Sequence, residues 1–299
     1  MMIWIMHMKT DLPHTADAAR VARSTQLSAS STRYRDPLGA INWDGLDLDA
    51  AWLPESLLSL HGLDAAAGLS AMQLRALSRC EFVSFCELGL WLEALFMQKL
   101  SGHVLSHIAH DPAGYGYQLH ELREEVGHSL MFLELHRRAG LGFMTPPDRR
   151  PALARWFARL APHDSLAFWA AILIGEDVPD RFARAITADP ALPEPVRAIT
   201  RLHAREEARH IAYARAMVHE RAARLPAWRK RALAPLLGEV MRQFLRSCFF
   251  PSASTYRAAG LADPGFWARA ARANPHRIAL MHRCAAPART FLHAQGIPV

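Results

Sequence analysis

"HAREEARH", residues 203–210, places His203, Glu207 and His210 at offsets of zero, four and seven. An α-helix turns about 100° per residue, so these three side chains stand nearly in line on one face. Apolar residues at that spacing would form a core stripe. Two imidazoles and a carboxylate there make either a very polar surface stripe or half of a metal site.

The rest of the chain decides between the two. Glu207 and His210 form a Glu-x-x-His pair, which one helix face can present to a metal because i and i+3 are neighbours. A second pair, Glu125 and His128, lies in "EEVGH" (124–128). A carboxylate-bridged two-metal site needs one further glutamate from each of two other helices. Glu93 lies inside the apolar run "LGLWLEALFM", 32 residues before Glu125, and Glu176 ends "LAFWAAILIGE", 31 residues before Glu207. Each half thus reads as an isolated glutamate among apolar residues, a nearly constant gap, then Glu-x-x-His. An ionised carboxylate among Trp, Leu, Ile and Phe costs several kcal/mol unless it is paired or bound to metal. Four carboxylates with imidazoles, and no thiolate, suit iron, with manganese as a substitute, better than copper or structural zinc. Glu87, Glu124 and Glu206 fall off the ligand faces and read as solvated or supporting.

The surrounding pattern is helical from about residue 68 onward. Helices are predicted at 70–102, 113–140, 152–161, 165–188, 194–224, 227–249, 264–273 and 275–295, with Asp164 or Ser165 as an N-cap. Pro179 is expected to kink or restart its helix, since it cannot donate to the carbonyl four residues earlier. No alternating strand pattern appears. The chain is therefore read as all-α, a four-helix bundle core with additional helices. An irregular arm is expected over 1–65, followed by one helical domain over 66–299 whose ligand-bearing core spans about 70–224.

Bulk composition fits this reading. The 299 residues are 51% hydrophobic and 21% charged, an ordinary globular balance. The longest uncharged apolar run, "LAFWAAILIG" (166–175), is about half of the ~20 residues a membrane span needs. The opening "MMIWIMHMKTDLPH" has no basic n-region or proper h-region. Cys80, Cys86, Cys248 and Cys284 form no CxxC pair, so a reduced cytoplasmic setting is expected. From residue 201 onward there are 17 Lys and Arg against 5 Asp and Glu, with 18 against 23 before it. That basic third would suit an anionic partner, although an Arg-rich composition explains it equally well. No nucleic-acid motif stands out.

Together, Glu93, "EEVGH", Glu176 and "LHAREEARH" (202–210) resemble the para-aminobenzoate N-oxygenase (AurF-like) family of non-haem diiron oxygenases. The resemblance covers about residues 80–220. It implies a ferritin-like bundle holding two iron ions, with O2 as co-substrate and an external electron donor. It further implies that Glu125 and Glu207 bridge the irons, that Glu93 and His128 complete one, and that Glu176, His203 and His210 complete the other. The activity implied is oxidation of a small amine, carrier-tethered in one version, to hydroxylamine, nitroso or nitro products in specialised metabolism. A homodimer is compatible. No counterpart is found for the binding of an arylamine carboxylate. A C–H hydroxylase on the same scaffold, or a ferritin-type ferroxidase, stays open.

Overall fold

The computed structural model describes residues 18–107, 111–145 and 150–299, so the opening stretch just considered lies outside the described residues. In chain order the α-helices are α1 (Ala18–Ser31), α2 (Pro37–Ala40), α3 (Ala71–His107), α4 (Pro112–Ala139), α5 (Ala152–Leu160) and α6 (Leu166–Ala188). They continue with α7 (Glu194–Ala223), α8 (Ala227–Phe249), α9 (Ala253–Ala258), α10 (Pro264–Ala273) and α11 (Pro275–Ala294). No strand occurs among the described residues.

Local signals set the bounds of the core helices. Asp111 caps α4 by accepting from the Gly114 amide at 3.0 Å, Pro112 begins the helix, and Gly140 ends it at φ 65°. At that sign of φ a glycine costs nothing and other residues do. Ser165 is the cap of α6, accepting from Phe168 N at 3.2 Å. One expectation needs correction. α3 runs past Gly102 to His107, because one interior glycine costs only about 1 kcal/mol relative to alanine. α6 continues through Pro179 as one helix rather than restarting, since burial of its apolar residues on both sides outweighs one missing hydrogen bond.

The four long helices form two antiparallel hairpins, α3 with α4 and α6 with α7. α3 and α6 meet through rings: Phe85 and Phe182 lie 5.1 Å apart between centroids, Phe96 and Phe168 6.4 Å. α8 and α11 cover the outer side of α6. The stretch expected to be irregular before residue 65 holds a 14-residue helix, α1. Its sequence, "AARVARSTQLSASS", hid it. Thr25 and Ser30 donate back to Val21 O and Leu27 O, which settles hydroxyls that otherwise compete with a helix. α1 docks on α4, where Arg123 donates to Ser31 O at 2.6 Å and lies 4.5 Å from the Tyr34 ring. Gly127, inside "EEVGH", permits this close approach: a Cβ there would sit 2.3 Å from the Tyr34 hydroxyl.

Candidate metal centre

All seven sequence-derived ligands come from the four core helices and converge inside the bundle. His128 Nδ1 lies 3.4 Å from Glu125 Oε2, 3.4 Å from Glu207 Oε1 and 3.9 Å from Glu93 Oε1. His210 Nδ1 lies 3.0 Å from Glu125 Oε1 and 3.4 Å from Glu207 Oε1. His203 Nε2 lies 3.5 Å from Glu93 Oε1 and 3.4 Å from Glu207 Oε1. The donor atoms fall into two clusters that share Glu207. One holds Glu93, His128, His203 and Glu207; the other holds Glu125, Glu207 and His210. Glu176 is hydrogen-bonded to the shared Glu207, with the charges of Glu125 and His210 also acting on it. His203 Nε2 lies within 3.5 Å of oxygens of both Glu93 and the shared Glu207.

The electrostatics are those of a cage built for cations. Glu93 pairs with Glu125 and Glu176 with Glu207, as carboxyl–carboxylate couples. Burial, then the charge of the partner carboxylate, pushes Glu93 and Glu176 well above the usual range. Burial also opposes ionisation of Glu125 and Glu207. The charge of His210 and the hydrogen bonds from Glu93 and Glu176 nevertheless hold Glu125 well below the usual range and Glu207 at about 2. Against the same burial, hydrogen bonds to Glu125 and Glu206 lift His128 to about 9. The charges of Glu207 and Glu125 lift His210 well above its usual value. Among the three histidines burial wins only at His203, which falls to about 4.

The donor set fits two metal ions. Outside the carboxyl couples, both oxygens of Glu207, Glu125 Oε1, His203 Nε2 and His210 Nδ1 are buried without a hydrogen-bond partner. Each such group costs several kcal/mol in a protein interior unless something satisfies it. Divalent cations bound by these oxygens and ring nitrogens would satisfy them together.

Two residues read from sequence as solvated or supporting are supporting. Glu124 and Glu206 are buried, and each reaches across to the other motif's histidine. His210 Nε2 stands 3.0 Å from Glu124 Oε2, and His128 Nε2 3.0 Å from Glu206 Oε2. A carboxylate accepts, so each Nε2 carries a proton, and each Nδ1 faces the centre, where its lone pair becomes available once a cation displaces the Nδ1 proton. Arg209 donates to Glu124 at 2.7 Å. Glu87 has a separate task, accepting from the Met144 and Thr145 amides at 2.9 and 3.2 Å. Glu121, one turn before Glu125, was not singled out in the sequence; it is fully buried, and burial raises its carboxyl to about 8.

On the opposite side of the cage lies a cavity of about 120 Å³. It runs between α3 and α6, with Phe82 and Phe85 toward one end and Phe96, Phe157 and Phe168 toward the other. Glu93, Glu176 and His203 line its middle. Gly89 and Cys86, one and two turns before Glu93, are in the wall as well. Gly89 leaves room in the wall and lets α4 pack closely, since a Cβ there would meet the Phe132 ring at 2.8 Å.

Comparison with known proteins agrees with this geometry. The family model for the p-aminobenzoate N-oxygenase AurF matches residues 17–296. An uncharacterized protein of Mycobacterium tuberculosis is 25% identical over 246 residues, covering 79% of this chain and 71% of its own length. One from Mycobacterium bovis is also 25% identical over 246 residues, covering 79% and 67%. Among solved structures, a valine-to-alanine mutant of an R2-like ligand-binding oxidase with a Mn/Fe cofactor superposes with a TM-score of 0.54. It is 12% identical over 92% of this chain and 93% of that one. A valine-to-leucine mutant of such an oxidase gives 0.51 at 13% identity, with the same coverage. These similarities establish a ferritin-like fold for the bundle. The chain belongs to the p-aminobenzoate N-oxygenase (AurF) family and is a diiron oxygenase.

Proposed function

We propose that the protein oxidises a small amine at nitrogen, using O2 and an external electron donor, with Glu93, Glu125, His128, Glu176, His203, Glu207 and His210 as the ligands of two iron ions. The observation that carries the reading is the third imidazole. His203 Nε2 stands among Glu93 and Glu207, and a third histidine at this spacing is the feature by which the chain resembles N-oxygenases rather than ferroxidases. Two bound irons supply O2 activation and the electron store for the reaction.

The chain's own residues set the conditions for that chemistry. Glu124 and Glu206 orient His210 and His128. Glu93, Glu176 and His203 border the cavity, so a substrate held there lies beside the ligands. The phenylalanines of the wall exclude bulk water, which strengthens every charge interaction within. The first oxidation balances as amine, O2, two electrons and two protons giving hydroxylamine and water; further rounds reach the nitroso and nitro levels.

Iron-loaded enzyme supplied with a reductant, isotopically labelled O2 and a panel of arylamines tests the reading. Labelled oxygen bonded to nitrogen in the product is the expected result. Labelled oxygen on carbon would replace it with hydroxylation, and release of ferric oxide without organic product would replace it with ferroxidase chemistry.

A further inference from the structure

We infer that the cavity takes an amine whose body is uncharged and mainly hydrocarbon, and that it rejects the arylamine carboxylate for which the family is named. The inference rests on the N-oxygenase reading for the amine, and on the cavity alone for the rest. Among the described residues, no lysine, arginine or tyrosine contributes to the wall. Apart from the three candidate ligands, its side chains are phenylalanines, aliphatic residues, Pro179, Thr200 and Cys86. Thr200 is already engaged, accepting from Thr187 Oγ1 at 2.9 Å and donating to the Arg197 carbonyl at 3.1 Å.

Several cations on the wall helices are committed elsewhere. Lys99, six residues past Glu93 on α3, donates to the Arg159 carbonyl. On α6, Arg181 and Arg184 pair with Asp177 and Asp180 at 3.6 and 2.8 Å. On α7, Arg197 and Arg201 both pair with Glu194, at 2.7 and 2.6 Å. The metal ions do not supply the missing charge either. Glu93, Glu125, Glu176 and Glu207, once ionised, balance two divalent cations. A carboxylate entering this cavity would be desolvated with no partner.

What the cavity does offer is length and acceptors. From Phe82 to Phe96 the wall follows roughly 20 Å of α3 at the usual helical rise, enough for an elongated hydrocarbon body. Pro179 has no N–H to give the Gly175 carbonyl four residues earlier, and both residues line the cavity beside Glu176. A carbonyl without its helical donor, next to a carboxylate ligand, suits the N–H of a neutral amine and repels an anion.

A matched pair of probes tests this. para-Isopropylaniline has a branched end close in size to a carboxylate and is neutral at neutral pH; para-aminobenzoate is anionic. Binding of each is measured by calorimetry to the metal-free protein and to the iron-loaded protein, so the readout does not depend on turnover. The neutral probe is expected to bind at least tenfold tighter in both forms. Equal or tighter binding of para-aminobenzoate would overturn the inference, as would failure of the neutral probe to bind at millimolar concentration. Ile172→Lys, which puts a cation into the wall, is expected to reverse the preference; if that variant does not fold, the wild-type pair still decides. Isopropylbenzene separates the two readings. If it binds as the aniline does and is oxidised on carbon, the N-oxygenase reading fails while the hydrocarbon cavity stands.

Discussion

The two sides of the cage are chemically opposite. On one side, Glu93, Glu176 and His203 face phenylalanines, aliphatic residues and a cavity. On the other, His128 and His210 back onto Glu206 and Glu124, with Arg209 on Glu124 and Glu121 buried nearby. The charged side holds ring orientation and basicity through hydrogen bonds that leave the imidazoles little freedom. The apolar side leaves its ligands without such partners and gives the space to substrate. One cluster of donors thus has a side that sets metal affinity and a side that sets specificity, and variants on the two should fail differently.

The largest effect is expected at Glu207, which both donor clusters share. Glu207→Ala should abolish binding of both ions, a loss beyond the roughly 100-fold that supporting residues command. Metal analysis after dialysis checks it. Retention of one full ion per chain would show that Glu207 does not join the clusters.

On the charged side, Glu124→Ala or Glu206→Ala should weaken metal binding by roughly 10- to 100-fold while leaving probe binding in the cavity unchanged. Competition against a chelator, paired with the calorimetry described above, separates the two readouts. Equal losses in both would erase the distinction between the sides.

The pH dependence of the metal-free protein sharpens the contrast further. The folded His128 is raised from 6.5 to about 9, so its stabilisation is complete below pH 6.5 and is lost as pH rises through 9. Glu93 and Glu176, raised by burial, act in the same direction, because ionising them in the fold costs stability. Metal-free protein should therefore melt at lower temperature as pH rises from 6.5 to 9, whereas metal affinity should rise, since binding displaces those protons. Glu207, held at about 2, stabilises above its ordinary 4.5 and loses that contribution only as pH falls through 2. Scanning calorimetry of both forms across that range is the check.

The smallest effect belongs to the apolar side. Gly89→Ala would press on the Phe132 ring, whose centroid is 5.3 Å from that of His203. Overpacking of about 1–3 kcal/mol should exceed the gain of up to about 1 kcal/mol in helix propensity. Urea unfolding should show a modest net loss, with metal stoichiometry intact.

The bundle and the convergence of these seven side chains were legible because helical spacing is a local property. Glu125 with His128, and Glu207 with His210, announce themselves at i, i+3. Glu93 and Glu176 stand out as carboxylates in apolar runs at matching distances upstream. What depends on the neighbouring helix was not legible. Glu124 and Glu206 each precede a ligand by one residue, about 100° off its face, and only the partner helix shows that they point at a histidine. α1 escaped notice because serines and threonines ordinarily favour caps and turns, and its docking on α4 supplies what its own sequence does not.

Anaerobic titration of metal-free protein with ferrous iron tests whether these seven side chains hold two metal ions. Two equivalents are expected to bind per chain, with proton release on binding and loss of both ions in Glu207→Ala. Binding of fewer than two, or two that survive that substitution, would contradict a two-metal cage.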